Sequence, residues 1–303
     1  MSKLITVFGS TGQQGGSVLR ALLSNGNFKV RALVRNPDSD ASKKLKELGA
    51  EVVKSDDSDS KEHIESALKG SYGVFLVTNF WSYFDKEYEY GKKIADAALS
   101  AGIKHIVFSG LAPCKKISNG RYNVPHFDLK HQVEEHIRSL SAANPSFVSS
   151  FVYAPLYAQN FQTSFTPKKN EDGLTYTISF PSDPSGKLLD VGDVNDIGSI
   201  VAGIFSDPTK YSGSIVPFSG DALTGNQIAD TISKVTGKKV SFNYIPPSVF
   251  RTFGFPGADE LATMFEYYNE FGAFNDLDKS IAPKIHKLTT FEQFLNKVNY
   301  KLE

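Results

Sequence analysis

The chain has 303 residues, 40% hydrophobic and 22% charged, an ordinary globular make-up with room for one large domain or two modest ones. Its 33 basic residues equal its 33 acidic ones, so no general positive field favours nucleic acid, and the lysine doublets are scattered enough to be solvated surface. A single cysteine, Cys114, excludes an internal disulfide and fits a reducing compartment. The opening residues lack a signal-peptide pattern and no apolar run approaches a bilayer span. A cytosolic protein, with the nucleus also open to it, is the expectation.

In chain order, residues 4–8 (LITVF) read as a buried strand, followed by a glycine-rich loop and an amphipathic helix over 17–23. Strands are expected at 28–34, 51–54, 73–78, 104–109 and 147–152, alternating with helices at 39–48, 61–68, 87–100 and 127–139. Strands alternating with helices imply right-handed βαβ units and a parallel sheet. After Pro155 the rhythm breaks. Residues 156–190 read as loop with one strand at 175–180. A helix at 193–205, a strand at 214–218 and a helix at 226–236 follow, and residues 244–274 are rich in proline, glycine and aromatics. The expected fold is α/β: a Rossmann-type, doubly wound parallel sheet with a smaller, discontinuous C-terminal lobe. The larger domain would take residues 1–155 and about 190–240, the lobe about 156–189 and 241–303.

The loop Gly9-Ser-Thr-Gly-Gln-Gln-Gly15-Gly16 lies between a strand and a helix, the context in which glycines carry a dinucleotide. Gly9 permits the tight turn, and Gly12 lets the backbone approach a pyrophosphate. Gly15 or Gly16 lets helix and strand pack closely. Gly9, Thr11, Gly12, Gln13, Gln14 and Gly15 are thus the candidate phosphate cradle, with helix N-terminal amides meeting the phosphates. A tight turn needing glycine only for packing is the plainer alternative. An NAD site usually has an acidic residue about 20 positions on, to hold the ribose 2′-hydroxyl. Here the second strand ends Val34-Arg35-Asn36 without a carboxylate, and Arg35 suits a 2′-phosphate, pointing to NADP(H).

After the third strand, Asp56 or Asp57 can accept from an adenine amino group, Asp57 being preferred, while Asp59 with Glu62 resembles a capping box. Thr78, Asn79 and Phe80 follow the fourth strand at the carboxyl edge of the sheet, where ligands lie, although core packing of Phe80 and Trp81 reads equally well. In HFDLK, His126 and Lys130 fall four apart on one helical face. A thiol role for Cys114 beside Lys115 and Lys116 is less apt than a plain loop cysteine. Leu261, Met264, Phe265 and Tyr268 share a helical face. With Phe250, Phe253 and Phe255 they read as core, as an apolar wall beside a nicotinamide, or as a partner-binding surface.

The runs VFGSTGQQGGSVLRALL, FKVRALVRNP, GAEVVKSDD, VTNFW, HFDLK and GFPGADELATMFEYY resemble the NmrA-like family, atypical members of the short-chain dehydrogenase/reductase superfamily, over nearly the whole chain. The resemblance implies NADP(H) in the glycine loop, Arg35 at the 2′-phosphate and contacts from the loop after the fourth strand. It implies that Lys130 holds the nicotinamide ribose and that Ser109 falls loosely near the usual catalytic serine. Active reductases of the superfamily carry tyrosine four residues before the lysine as proton donor; here that place holds His126. Tyr122 is eight residues from Lys130, with Pro125 between, and is not a replacement.

The resemblance therefore implies a redox sensor or regulator. Such a protein would sense NADP(H) and act through protein partners, with a homodimer open to it, and without membrane or direct nucleic-acid contact. The loop 112–125 is a candidate segment ordered by cofactor, or a plain surface loop. The alternative is an NADPH-dependent reductase of a quinone or small carbonyl compound, with His126 and Lys130 at its centre. No metal site is expected.

Overall fold

The computed structural model describes residues 2–302. The first half runs β1 (Lys3–Val7), α1 (Gln13–Asn25), β2 (Phe28–Val34), α2 (Asp40–Glu47), β3 (Glu51–Lys54), α3 (Lys61–Leu68), β4 (Gly73–Leu76), α4 (Phe80–Tyr83), α5 (Glu87–Ser100), β5 (His105–Gly110), α6 (Cys114–Ile117), α7 (Pro125–Ala143) and β6 (Val148–Tyr153). The second half adds β7 (Leu156–Tyr157), β8 (Lys168–Lys169), β9 (Thr175–Phe180), β10 (Leu189–Gly192), α8 (Asp196–Ser206), β11 (Ile215–Pro217), β12 (Asp221–Leu223), α9 (Gly225–Thr236), β13 (Lys239–Tyr244), α10 (Pro247–Phe250), α11 (Ala258–Phe271) and α12 (Phe291–Lys297).

Seven strands form one sheet in the order β11-β6-β5-β4-β1-β2-β3, every neighbouring pair parallel. β4 and β5 are buried throughout, as expected of strands covered on both faces. The strand order reverses between β1 and β4, which opens a crevice at their carboxyl ends. Two small sheets, β12-β10-β7 and β13-β9-β8, complete the expected α/β architecture.

One face of the main sheet is covered by α1 and α8, whose Val18, Leu19, Leu22, Ile197, Ile200 and Ile204 are fully buried. Apolar residues of α3, α5 and α7 cover the other. That second layer continues without a break into the later elements, through Phe161, Phe180, Phe265 and Phe291. The lobe therefore leans on the sheet by way of a shared core.

Several elements differ from the sequence reading. α1 begins at Gln13, four residues early, because Gly12 caps it with extended backbone and the two glutamines form its first turn. The N-cap of α3 is Ser60, whose hydroxyl accepts from the His63 amide. Asp59 instead turns back, accepting from the Asp56 amide at 2.8 Å and the Ser55 hydroxyl at 3.2 Å, so its expected capping role is not seen. α7 starts at Pro125, which suits a first helical position. Residues 156–190 hold short strands besides β9, and β13 lay in a stretch without a strand expectation, where alternation is weak and pairing with β9 supplies the order.

Candidate functional site

The glycine loop bends over the end of β1. Gly9 sits at φ +62°, a left-handed turn, and its carbonyl accepts from the Gly12 amide at 2.8 Å. A Cβ on Gly15 would lie 2.2 Å from the Gly9 oxygen, while one on Gly16 would meet nothing closer than 3.2 Å. Gly15 is therefore the residue that lets α1 approach the loop. No side chain caps α1, so the amides of its first turn lack helical partners and face the cradle. Gln14 donates to the Tyr157 hydroxyl at 2.5 Å, and its own side-chain oxygen is buried without a partner. A cradle closed to a Cβ and left with free donors fits the pyrophosphate of a dinucleotide.

Three adjoining concavities run along the carboxyl edge of the sheet. The outermost, of about 640 Å³, is lined by Arg35, Lys54, Ser55, Asp56, Ser58, Asp59 and His63. The Arg35 side chain is 83% exposed and only loosely paired with Asp56, at 3.8 Å. A 2′-phosphate there would compete with that carboxylate for a guanidinium already free to turn. The middle concavity, of about 310 Å³, includes Gly9, Thr11, Arg35, Asp57, Asn79 and Tyr83. Asp57 accepts from the Tyr83 hydroxyl at 3.0 Å. Burial pushes its carboxyl up to about 6, the Tyr83 hydrogen bond working against the rise. The Asn79 amide donates to the same Tyr83 oxygen at 2.5 Å, tying the end of β4 to the loop after β3.

The innermost and largest concavity, about 680 Å³, is shared between sheet and lobe. The sheet side brings Gly9, Gly12, Gln13, Gln14, Gly15, Thr78, Asn79, Phe80, Ser109, His126 and Lys130. The lobe side brings Tyr157, Phe165, Leu261, Met264 and Tyr268. Phe80 is both buried and part of the lining, so its two readings coincide. Of the predicted set, only Arg35, Thr11 and Asp57 stand outside this innermost space, in the two outer ones.

Lys130 points its ammonium at the backbone oxygen and hydroxyl of Thr78, 2.8 Å from each, and pairs with Glu87. An ammonium has three hydrogens, and all three are engaged. Burial holds it below the ordinary lysine range, with Glu87 and Asp57 opposing that fall. Glu87 is fully buried, and its second oxygen has no partner. A ribose hydroxyl would have to share or replace one of these contacts.

His126 is held from across the cleft. One oxygen of Glu260, on α11, accepts from the His126 backbone amide at 2.7 Å and lies 2.6 Å from ring Nδ1. The ring stands against Trp81 and Phe80, with centroids 5.4 and 5.8 Å away. Tyr122 lies before α7 and donates to Glu270 at 2.9 Å, so it is occupied elsewhere. Cys114 is buried and its thiol is raised well above the usual range by burial, which removes the thiolate chemistry considered for it. The segment 112–125 is tied down: Asp128 accepts from the Lys115 and Val124 amides, each at 3.0 Å, and Glu270 pairs with Arg121. Among the described residues no cluster could hold a metal ion, and no helix is long and apolar enough to cross a membrane.

Sequence reasoning missed Glu87, Tyr83, Tyr157 and Glu260. Glu87 reads as an ordinary acid at a helix start. Glu260 meets a residue 134 positions away, and nothing in its own spacing announces that partner.

Residues 1–295 match the profile of the NmrA-like family. An NmrA-like family domain-containing protein of Dictyostelium discoideum is 48% identical over 306 residues, covering 100% of both chains. The NmrA-like family domain-containing oxidoreductase lnaB of Aspergillus flavus is 34% identical, over 88% of this chain and 83% of its own. Among solved structures, the negative transcriptional regulator NmrA in complex with NADP superposes with a TM-score of 0.83 at 24% identity, covering 98% of this chain and 95% of that one. Its complex with NAD gives the same figures.

Proposed function

The chain belongs to the NmrA-like family, and on that premise we propose that it binds NADP(H) and serves as a redox-sensing regulator read by protein partners. The observation that carries this reading is the contrast within one cleft. The glycine loop offers a cradle for a dinucleotide, with Gly15 letting α1 close on it and free amides at the start of α1, and a loosely held Arg35 stands at the end of β2, where it could pair with a 2′-phosphate. The machinery of the superfamily's reductases is not assembled: tyrosine is replaced by His126, and the Lys130 ammonium is spent on Thr78 and Glu87. Because α11 lines the same cleft as the glycine loop, a bound cofactor touches both sheet and lobe. A partner that distinguishes the filled from the empty lobe reads occupancy, provided the two states differ in cofactor affinity. NmrA, a negative transcriptional regulator whose structures hold NADP and NAD, supports a regulatory role, and the choice of dinucleotide rests on Arg35. The same reading expects the protein in the cytosol, with the nucleus open to it, without nucleic-acid contact of its own.

Calorimetric titration tests it. NADPH should bind wild type at least about 10-fold more tightly than NADH, as expected for a charge-assisted pair. Arg35→Ala should erase that preference while leaving NADH affinity unchanged; equal affinities in wild type would refute the NADP(H) assignment. Hydrogen exchange should show cofactor-dependent protection in 258–271, and identical exchange with and without NADPH would remove the basis for sensing.

A second reading, an NADPH-dependent reductase, is favoured by the apolar lining from Phe80, Phe165, Leu261 and Met264 and by relatives named as oxidoreductases.

A further inference from the structure

The sensor reading gives His126 no task, yet its surroundings are specific. Its first ring nitrogen is fixed by Glu260, and among the described residues no hydrogen bond engages Nε2, on a side chain that lines the innermost cleft. A carboxylate can only accept, so Nδ1 carries the hydrogen and Nε2 is the position free to exchange a proton with a ligand. The ring plane is further restrained by Trp81, Phe80 and Phe127, at 5.4, 5.8 and 4.8 Å between centroids. An orienting acid and a fixed imidazole with one unengaged nitrogen, on a residue that lines a cleft, fit the arrangement of a general acid.

We propose that His126 is the proton donor of a reductase site and Glu260 its positioning residue, the acceptor being an aromatic or conjugated carbonyl compound. This rests on the second reading above and on cofactor binding as proposed there. A bound reduced nicotinamide supplies the hydride. The acceptor's carbonyl carbon gains the C–H bond, and the π electrons of C=O pass to oxygen. That oxygen takes the proton from His126 Nε2, whose N–H bond breaks. The acceptor gains two electrons, the cofactor loses two, and the imidazolium becomes a neutral imidazole still bonded to Glu260. Solvent returns the proton. The mainly apolar lining accounts for the acceptor class, because it offers an aromatic body surface to lie on.

Other titratable groups near this end of the cleft are Tyr268 on α11, Tyr157 of β7, and Lys130 with its partner Glu87; from α4, the rings of Phe80 and Trp81 pack on His126, while the Tyr83 hydroxyl is turned to Asp57. Tyr268 is the competing donor, since burial keeps its phenol protonated.

The test uses the full chain with NADPH, 4-nitrobenzaldehyde, which needs an acid, and 9,10-phenanthrenequinone, which needs less. His126→Phe should lower aldehyde turnover about 100-fold or more, the ordinary worth of a general acid. It should lower quinone turnover less than about 10-fold. Glu260→Leu should, independently of turnover, change the His126 ring tautomer seen by nitrogen-15 NMR, because the acceptor that keeps the hydrogen on Nδ1 is gone. An unchanged tautomer would overturn the role of Glu260. Loss of aldehyde turnover in Tyr268→Phe but not in His126→Phe would overturn the donor. NADPH binding without any turnover would overturn this proposal and leave the sensor reading standing, whereas no NADPH binding would refute both.

Discussion

The two halves of the cleft are built on different plans. The two outer concavities are built mainly from the loops that follow β1, β2, β3 and β4, and Arg35 there is exposed and barely committed. The innermost concavity is made by sheet and lobe together, and its polar groups are already paired: Lys130 with Thr78 and Glu87, His126 with Glu260. The first half can exchange a water shell for a ligand at little cost. The second must rearrange existing pairs to make new ones. Binding can therefore be generic at one end, while whatever distinguishes this chain from other dinucleotide binders is concentrated at the other.

Breaking the inner pairing should have the largest effect. Lys130→Met leaves Glu87 buried and uncompensated, and urea unfolding should show a loss of about 3–5 kcal/mol. Adding Glu87→Leu should recover much of it. If Lys130→Met alone costs less than about 1 kcal/mol, the two halves are not differently built. Next comes the cradle that joins them. Gly15→Ala puts a Cβ against the Gly9 carbonyl, and we expect about 3 kcal/mol of lost stability together with loss of detectable NADPH binding by calorimetry.

The smallest effect sharpens the outer half. The Asp57 carboxyl stands at about 6 in the fold against 3.8 without it, so the folded state holds this proton more tightly than the unfolded one. Its contribution is full below pH about 4 and is lost as pH rises through about 6. A shift of this size is worth at most about 3 kcal/mol, and residual solvent contact reduces it to about 2. Asp57→Asn should thus gain stability relative to wild type between those two pH values and hold the gain above them. A difference that does not change with pH would show that Asp57 titrates normally.

The sheet was legible because each of its strands states its own case. A short apolar run bounded by turn residues and followed by a helix needs no distant partner to be recognised, and the first six strands lie where such runs fall. The glycine loop and Arg35 are local in the same way, since a fixed offset from β1 and β2 carries them. Glu87, Tyr157 and Glu260 are not. Each earns its place by meeting something 43 to 143 residues away, and the sequence near it has no period or spacing to report that meeting. β13 was missed for the same cause, being held by its pairing with β9. Ser60 displaced Asp59 as the cap of α3 because Asp59 found better donors one turn back, a competition among neighbours that a motif does not resolve.

Trp81 is the one tryptophan of the chain, and its ring rests against Gly257 and His126 at the wall of the cleft. Indole emission overlaps the absorption of a reduced nicotinamide and not that of an oxidised one. Light absorbed by this single ring would pass to NADPH by energy transfer, whereas NADP+ could alter it only by contact. The molecule thus carries a built-in optical reporter at the wall of the cleft, with no second indole to blur the signal.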